Sequence, residues 1–317
     1  MKAAIVEQAG HVPVYGDFEE PTLAPGLSLV RVTASAISHV TKSRASGAHY
    51  SANGGLPLVP GIDGVGLDES GRRVYFILPE PPYGGMAQRC LVDVRRCIAL
   101  PDGLGDVDAA AMAITGMSSW AALVERAHLR PGETVLINGA TGASGRLAIQ
   151  IAKHLGANKV IAAGRDTAAF DELRALGADV TIALTGDRDA LEEAFKNEFR
   201  QGVDVVLDYV WGPSAETLIV SAAKAGPDAV PIRFVQIGAI SGADITLPGA
   251  ALRSSALQLM GSGIGSIPQP RILAAIRGVL EAAPAAGLRV ATHAMPLAEI
   301  AHAWDAGDAR SRIVLVP

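Results

Sequence analysis

The stretch from Thr134 to Leu155, Thr-Val-Leu-Ile-Asn-Gly-Ala-Thr-Gly-Ala-Ser-Gly-Arg-Leu-Ala-Ile-Gln-Ile-Ala-Lys-His-Leu, leaves few folds open to the chain that carries it. β-Branched and aliphatic residues run into a glycine-punctuated turn, after which Leu147, Ile151 and Leu155 recur at helical spacing. This reads as strand, tight loop and helix. Gly139, Gly142 and Gly145 punctuate the turn, where a side chain would keep a diphosphate from backbone N–H groups at the positive end of the helix dipole. Thr141, Ala143 and Ser144 complete the expected cradle. The spacing is G-x-x-G-x-x-G, not the G-x-G-x-x-G of the usual dinucleotide fingerprint, so a plain chain-reversing turn stays open on the motif alone.

The downstream pattern narrows the choice. Apolar runs at Lys159–Ala163, Val180–Leu184, Val203–Leu207 and Arg233–Ile237 are separated by helical patterns, the alternation of an α/β doubly wound parallel sheet. Leu257–Met260 reads as a sixth, edge strand, Gly242–Arg253 as irregular and Arg271–Glu281 as a helix. Ligands of such sheets bind outside the carboxyl ends of the strands. That places Tyr209 and Val210, after the fourth strand, and Gly238 and Ala239, after the fifth, as candidate walls of a nucleotide site. Trp211 is expected in the core.

Ahead of this region the pattern changes to short strands broken by Gly, Pro and Asp: Ala3–Glu7, Leu27–Ala34, Arg73–Leu78, Met86–Val92 and Cys97–Leu100. Closely spaced turns leave no room for helical crossovers, so a compact β-barrel is expected. Val107–Leu129 reads as two helical segments interrupted near Gly116. The last run, Arg312–Val316, has no alternating region left to join and is expected to return to the barrel.

With 317 residues, 49% of them apolar, the chain can build two cores and is not disordered. A net charge of −5 without a like-charge block points to neither nucleic acid nor an anionic membrane. Cys90 and Cys97 form no C-x-x-C pair, which excludes a disulfide framework or structural zinc site and suits a reducing compartment. The N-terminus lacks a sustained apolar run and no window reaches the length of a membrane span, so a cytoplasmic location is expected. The uncovered edge at Leu257–Met260 suggests a homodimer.

Several motifs in order then give a resemblance: Val59-Pro60-Gly61-Ile62-Asp63-Gly64-Val65-Gly66, Gly84-Gly85-Met86-Ala87-Gln88, Thr115-Gly116-Met117-Ser118-Ser119-Trp120-Ala121-Ala122-Leu123, Pro131–Ile137, the glycine turn and Leu176-Gly177-Ala178-Asp179. Over its full length the chain resembles the medium-chain dehydrogenase/reductase superfamily, most of all its zinc-independent, zeta-crystallin-like quinone oxidoreductase branch. The resemblance implies a GroES-like barrel made of residues 1–116 and 262–317, a Rossmann domain of residues 117–261, and a nicotinamide cofactor in the cleft between them. By similarity the catalytic zinc positions of related alcohol dehydrogenases fall on Ser38, Ile62 and Thr115, and an isoleucine cannot coordinate a metal.

Without zinc to stabilise an alkoxide, alcohol oxidation is disfavoured, whereas hydride delivery to a quinone or enone reaches a carbon that is already electrophilic. The expectation is hydride transfer from NADPH to a quinone or α,β-unsaturated carbonyl. An enoyl-thioester or alkene reductase, or an NADPH-binding protein with little turnover, remains an alternative. After the second strand, Gly164-Arg165-Asp166 sets a guanidinium where the 2′-phosphate of NADPH would lie, while Asp166, one residue on, keeps NADH open. A plain alternative is that both residues only solvate the start of the next helix, with Asp166 or Thr167 as its cap. The resemblance further implies that Tyr50 orients the substrate carbonyl or stacks on a quinone, the alternative being a barrel-surface tyrosine. It also implies that Ser119 contacts the nicotinamide and that His39 and Arg312 approach the diphosphate, the alternatives being that Ser119 only bonds its own backbone and that Arg310 and Arg312 are solvated edge charges.

Overall fold

In the structure, a computed structural model that describes residues 1–48, 55–306 and 310–317, the chain divides into two units, Met1–Ile114 with Ile276–Pro317, and Thr115–Ala275. Strands β1 to β7 run Lys2–Ile5, Val14–Asp17, Leu27–Ala36, Asp63–Leu67, Arg73–Ile77, Arg89–Asp93 and Cys97–Ala99. Strands β8 to β13 run Thr134–Asn138, Lys159–Gly164, Val180–Ala183, Val205–Asp208, Ile232–Gln236 and Leu257–Gly261, and β14 and β15 are Ala291–Pro296 and Ser311–Val316. Helices α1 to α4 are His39–Ala45, Asp106–Ala121, Ala143–His154 and Phe170–Ala175. Helices α5 to α9 are Arg188–Gln201, Gly212–Ala225, Gly249–Arg253, Gln269–Ala286 and Ile300–Ala306.

The Thr115–Ala275 unit holds a six-stranded sheet ordered β10-β9-β8-β11-β12-β13 in which every pairing is parallel. Parallel strands need crossovers, and the helices between them supply these while covering the sheet. Leu147, Ala148, Ile149, Ile151 and Ala152 bury one side of α3, and Phe195 and Phe199 of α5 lock fully buried into a cluster with Leu136, Ile161 and Leu218. Each such phenylalanine contributes roughly 1.5–3 kcal/mol of burial. The chain reverses its winding between β8 and β11, and in a doubly wound sheet that switch point is where ligands bind.

The other unit is built on a seven-stranded sheet, antiparallel except for the β14–β15 pair, with β1 and β2 as a separate hairpin. The C-terminal strand returns to the N-terminal part of the chain, β15 pairing with the end of β3.

Several elements differ from the sequence expectation. Strand β4 escapes notice because its Asp-Gly-Val-Gly-Leu composition mimics a turn, yet those glycines answer to packing. A Cβ on Gly64 would stand 2.6 Å from the Phe76 ring, and one on Gly66 would stand 2.3 Å from the Arg31 carbonyl of β3. Strands β2 and β14 carry too little apolar alternation to be seen. The region read as helix-free contains α1, started by the Ser38 hydroxyl, which accepts the N–H of Thr41 at 3.1 Å.

Helix α2 runs unbroken through Gly116, and the irregularity falls later, as a π-turn at Ala122–Arg126. The stretch Gly242–Arg253 contains α7. The continuous helical run Asp106–Arg126 is, contrary to expectation, long and apolar enough to cross a membrane by length and composition. Most of that apolar window is buried within the fold, as in a core helix.

Candidate active site

Strand β8 ends at Asn138 and the chain turns at Gly139, whose φ of +93° lies in the left-handed region that favours glycine. A Cβ there would also press within 2.8 Å of Val210 Cγ2. Gly142 is the N-cap of α3 and offers no side-chain cap, while Ala143, Ser144 and Gly145 form the first turn. A helix leaves its first N–H groups without intrahelical acceptors, and here no capping side chain stands over them. Gly145 lets the helix settle on the loop, since a Cβ would lie 2.4 Å from the Gly139 carbonyl oxygen.

The neighbouring strand ends close on the same turn. A Cβ at Gly164 would meet Thr141 Cγ2 at 2.4 Å, and one at Gly238 would meet the Tyr209 carbonyl oxygen at 2.6 Å. The structure therefore brings Gly139, Thr141, Gly142, Ala143, Ser144, Gly145, Gly164, Tyr209, Val210 and Gly238 into one neighbourhood at the switch point. Ala239 follows at the exposed rim, and Arg165 is exposed immediately beyond Gly164. Asp166 takes the N-cap position of the next helical turn without a side-chain capping bond.

Ser119 is fully buried and donates its hydroxyl to the Gly116 carbonyl at 3.0 Å. Its neighbour Ser118 donates to the Thr115 carbonyl at 2.9 Å and lies 3.4 Å from the Tyr209 hydroxyl. Burial pushes the Tyr209 phenol up to about 12, against the Ser118 and Ser119 hydroxyls, which lower it. Tyr209 is therefore a neutral hydrogen-bonding group at working pH.

Behind the turn lies a polar seam that the sequence reading does not single out. Asn138 and Asp208 end the two central strands in register, both fully buried. Asp208 Oδ1 accepts from Asn138 Nδ2 at 2.8 Å and from the backbone N–H groups of Val210 and Trp211 at 2.9 and 3.1 Å. Burial pushes this carboxyl above its usual range, and those three donors pull it back in part. The carboxyl shapes the loop that presents Tyr209 and Val210, and it holds Trp211 at a φ of +58°. Such a conformation in a non-glycine residue needs support from its surroundings, and Trp211 also packs edge-on against Phe234. A carboxylate closing the apolar run Val205-Val206-Leu207 is the sequence signal that marks this residue.

In the other unit, His39 opens α1 and is near Arg312 of β15. Partial burial, then the Arg312 and Lys42 charges, hold its imidazole below the usual value, which favours the neutral ring. Burial likewise lowers the Arg312 guanidinium. Tyr50 lies outside the described residues. A cavity in this unit is lined by Thr41, Arg44, Val59, Ile62, Leu78 and Tyr83, among others.

The residues at the three zinc positions of related alcohol dehydrogenases do not fit that metal. Ile62 has no donor atom, the Ser38 hydroxyl is engaged with Thr41 as a helix cap, and Thr115 is a buried threonine.

Comparison with known proteins agrees with this architecture. Residues 143–281 match the zinc-binding dehydrogenase family model, a span that includes none of the three positions just described. The chain is 31% identical over its whole length to a probable NADPH-dependent quinone reductase, tdiC, of Emericella nidulans, all of which is covered. It is 35% identical to part of the polyketide synthase GfsB of Streptomyces halstedii, over 56% of this chain and 3% of that one. Among solved structures, the quinone oxidoreductase of Thermus thermophilus, determined also in complex with NADPH, superposes with a TM-score of 0.82. It shares 29% identity, with both chains covered in full.

Proposed function

The chain belongs to the medium-chain dehydrogenase/reductase superfamily, in its quinone oxidoreductase branch, and from that premise we propose that it transfers a hydride from NADPH to a quinone or α,β-unsaturated carbonyl without a catalytic metal. The observation that carries the reading is the turn at Gly139–Gly145. Its close approaches are possible only with glycine, and it opens an uncapped helix N-terminus at the switch point of the sheet. These residues fit a dinucleotide diphosphate.

When bound, NADPH supplies the hydride, and reduction of a conjugated acceptor spreads the developing charge so that no Lewis acid is needed. The chain's own residues bind and orient. The first-turn N–H groups of α3 hold the diphosphate, Arg165 meets the 2′-phosphate, and Val210 and Tyr209 wall the site, with Gly238 leaving room beside them. His39 and Arg312 are assigned to the diphosphate and Tyr50 to the substrate carbonyl, on the strength of the family resemblance. Ser119 is assigned to the nicotinamide on the same ground, and the Ser118 and Ser119 hydroxyls both stand beside the Tyr209 hydroxyl in the parallel-sheet unit.

The polyketide synthase match favours a second reading, reduction of the carbon–carbon double bond of an enoyl thioester by the same metal-free chemistry. A panel of 1,4-benzoquinone, phenanthrenequinone, simple enones and enoyl thioesters, assayed with NADPH in chelator, decides between them. Oxidation of NADPH by quinones or enones supports the first reading and selective use of thioesters the second. Tight binding without turnover of any acceptor would make the chain a binder only, and loss of activity to the chelator would overturn both.

The reading includes a cytoplasmic enzyme and a homodimer joined along the outer edge of β13, the terminal strand of the parallel sheet. Light scattering should give the mass of two chains. A single-chain mass across a wide concentration range contradicts the dimer.

A further inference from the structure

Arg146, in the first turn of α3, is only 7% exposed, an unusual position for a guanidinium beside a loop. Its Nε donates to the Thr141 carbonyl at 2.9 Å and its Nη1 pairs with Glu172 of α4, while Nη2 is buried without a hydrogen-bond partner. An unmet charged donor in a dry setting costs free energy, so a site that retains one has a use for it. The Glu172 side chain is 61% exposed, so it can swing into water with little loss of packing. It also engages the guanidinium through one nitrogen, where a phosphate would take both Nη atoms at once.

The location specifies the ligand. Thr141, whose carbonyl Arg146 holds, packs directly on the bare Cα of Gly164, and Arg165 follows Gly164 into solvent. The two arginines thus flank the end of β9, where a dinucleotide fold meets the adenosine ribose.

We propose that Arg146 is a second reader of the adenosine 2′-phosphate, acting with Arg165, and that Glu172 occupies its guanidinium when that phosphate is absent. The inference rests on the reading that the turn holds a nicotinamide dinucleotide. NADPH displaces the Glu172 carboxylate, takes Nη1 in its place and reaches the unpartnered Nη2 that the departing carboxylate uncovers. NADH leaves the Arg146–Glu172 pair in place. Glu172 therefore weakens NADPH binding and Arg146 strengthens it, and neither selects for NADH directly.

The test is an equilibrium titration of the full chain, following the fluorescence of NADPH and NADH separately. Arg146→Met, which keeps the apolar stem, should lower the preference for NADPH over NADH by about tenfold or more, the worth of a lost charge-assisted bond. Glu172→Gln should tighten NADPH several-fold and leave NADH within about twofold. Equal weakening of both cofactors by Arg146→Met would show that Arg146 only props the turn and would overturn the proposal, as would an unchanged NADPH affinity in Glu172→Gln. A wild-type chain that binds neither cofactor would refute the underlying dinucleotide reading instead, and the inference with it.

Discussion

Asp63 shows how much one buried carboxyl does in this chain. It opens β4, is 1% exposed, and accepts the Tyr75 hydroxyl at 2.9 Å through Oδ2. Burial raises its pKa to about 7, with the Tyr75 bond opposing. Between its unfolded value near 4 and the folded value near 7, the native state holds a proton that the unfolded state has released. Stability therefore falls as pH rises through that window and is level above it, by an amount on the order of 4 kcal/mol at most. Asp63→Asn keeps the shape without the charge. Urea unfolding at about pH 5 and pH 8, on either side of the folded value, should show the wild type losing stability over that interval and the variant losing much less. Equal slopes would mean that Asp63 is ionised throughout.

Among the elements, α1 illustrates what a single cap decides. It has seven residues, too few to persist on propensity, and the Ser38 hydroxyl supplies the acceptor for its first turn. Ser38→Ala should cost about 1 kcal/mol in denaturant unfolding, and no measurable loss would mean that the hydroxyl does not hold the helix start. The same helix shows where legibility ends. Ser38-His39-Val40-Thr41 carries the cap residue but no apolar period long enough to announce a helix, whereas α3, with Leu147 and Ile151 on its buried side, is plain from sequence. Strand β4 stays hidden because its glycines, required by Phe76 and by the β3 carbonyls, look like turn residues until their neighbours are known. The interruption expected at Gly116 does not occur, because a helix whose residues Ala109 to Ala113 are buried tolerates one glycine.

At the scale of the molecule, the alternation of apolar strands and amphipathic helices specifies the parallel sheet, since β8 to β12 each carry β-branched residues and β13 an aliphatic Leu-Gln-Leu-Met run. The return of the C-terminal strand to β3 is legible for the opposite reason, that no partner remains for it elsewhere. Positions around the glycine turn are readable wherever the constraint is local, as at Gly139. Arg146 is not, because its partner Glu172 comes from distant sequence and only the folded chain shows that its Nη2 is left buried and unmet. Asp208 is marked in the sequence as a carboxylate closing an apolar run, but its pairing with the distant Asn138 is not.

All of the proposed chemistry depends on a hydride passing from NADPH to an activated acceptor unaided by metal. It can be followed by supplying NADPH deuterated at the transferring position of the nicotinamide C4, in chelator-treated buffer, with a conjugated enone, and analysing the product by mass spectrometry. The expected product carries one deuterium on the former β-carbon. Product lacking the label, or formed only when a divalent metal is restored, would contradict metal-free transfer from the cofactor.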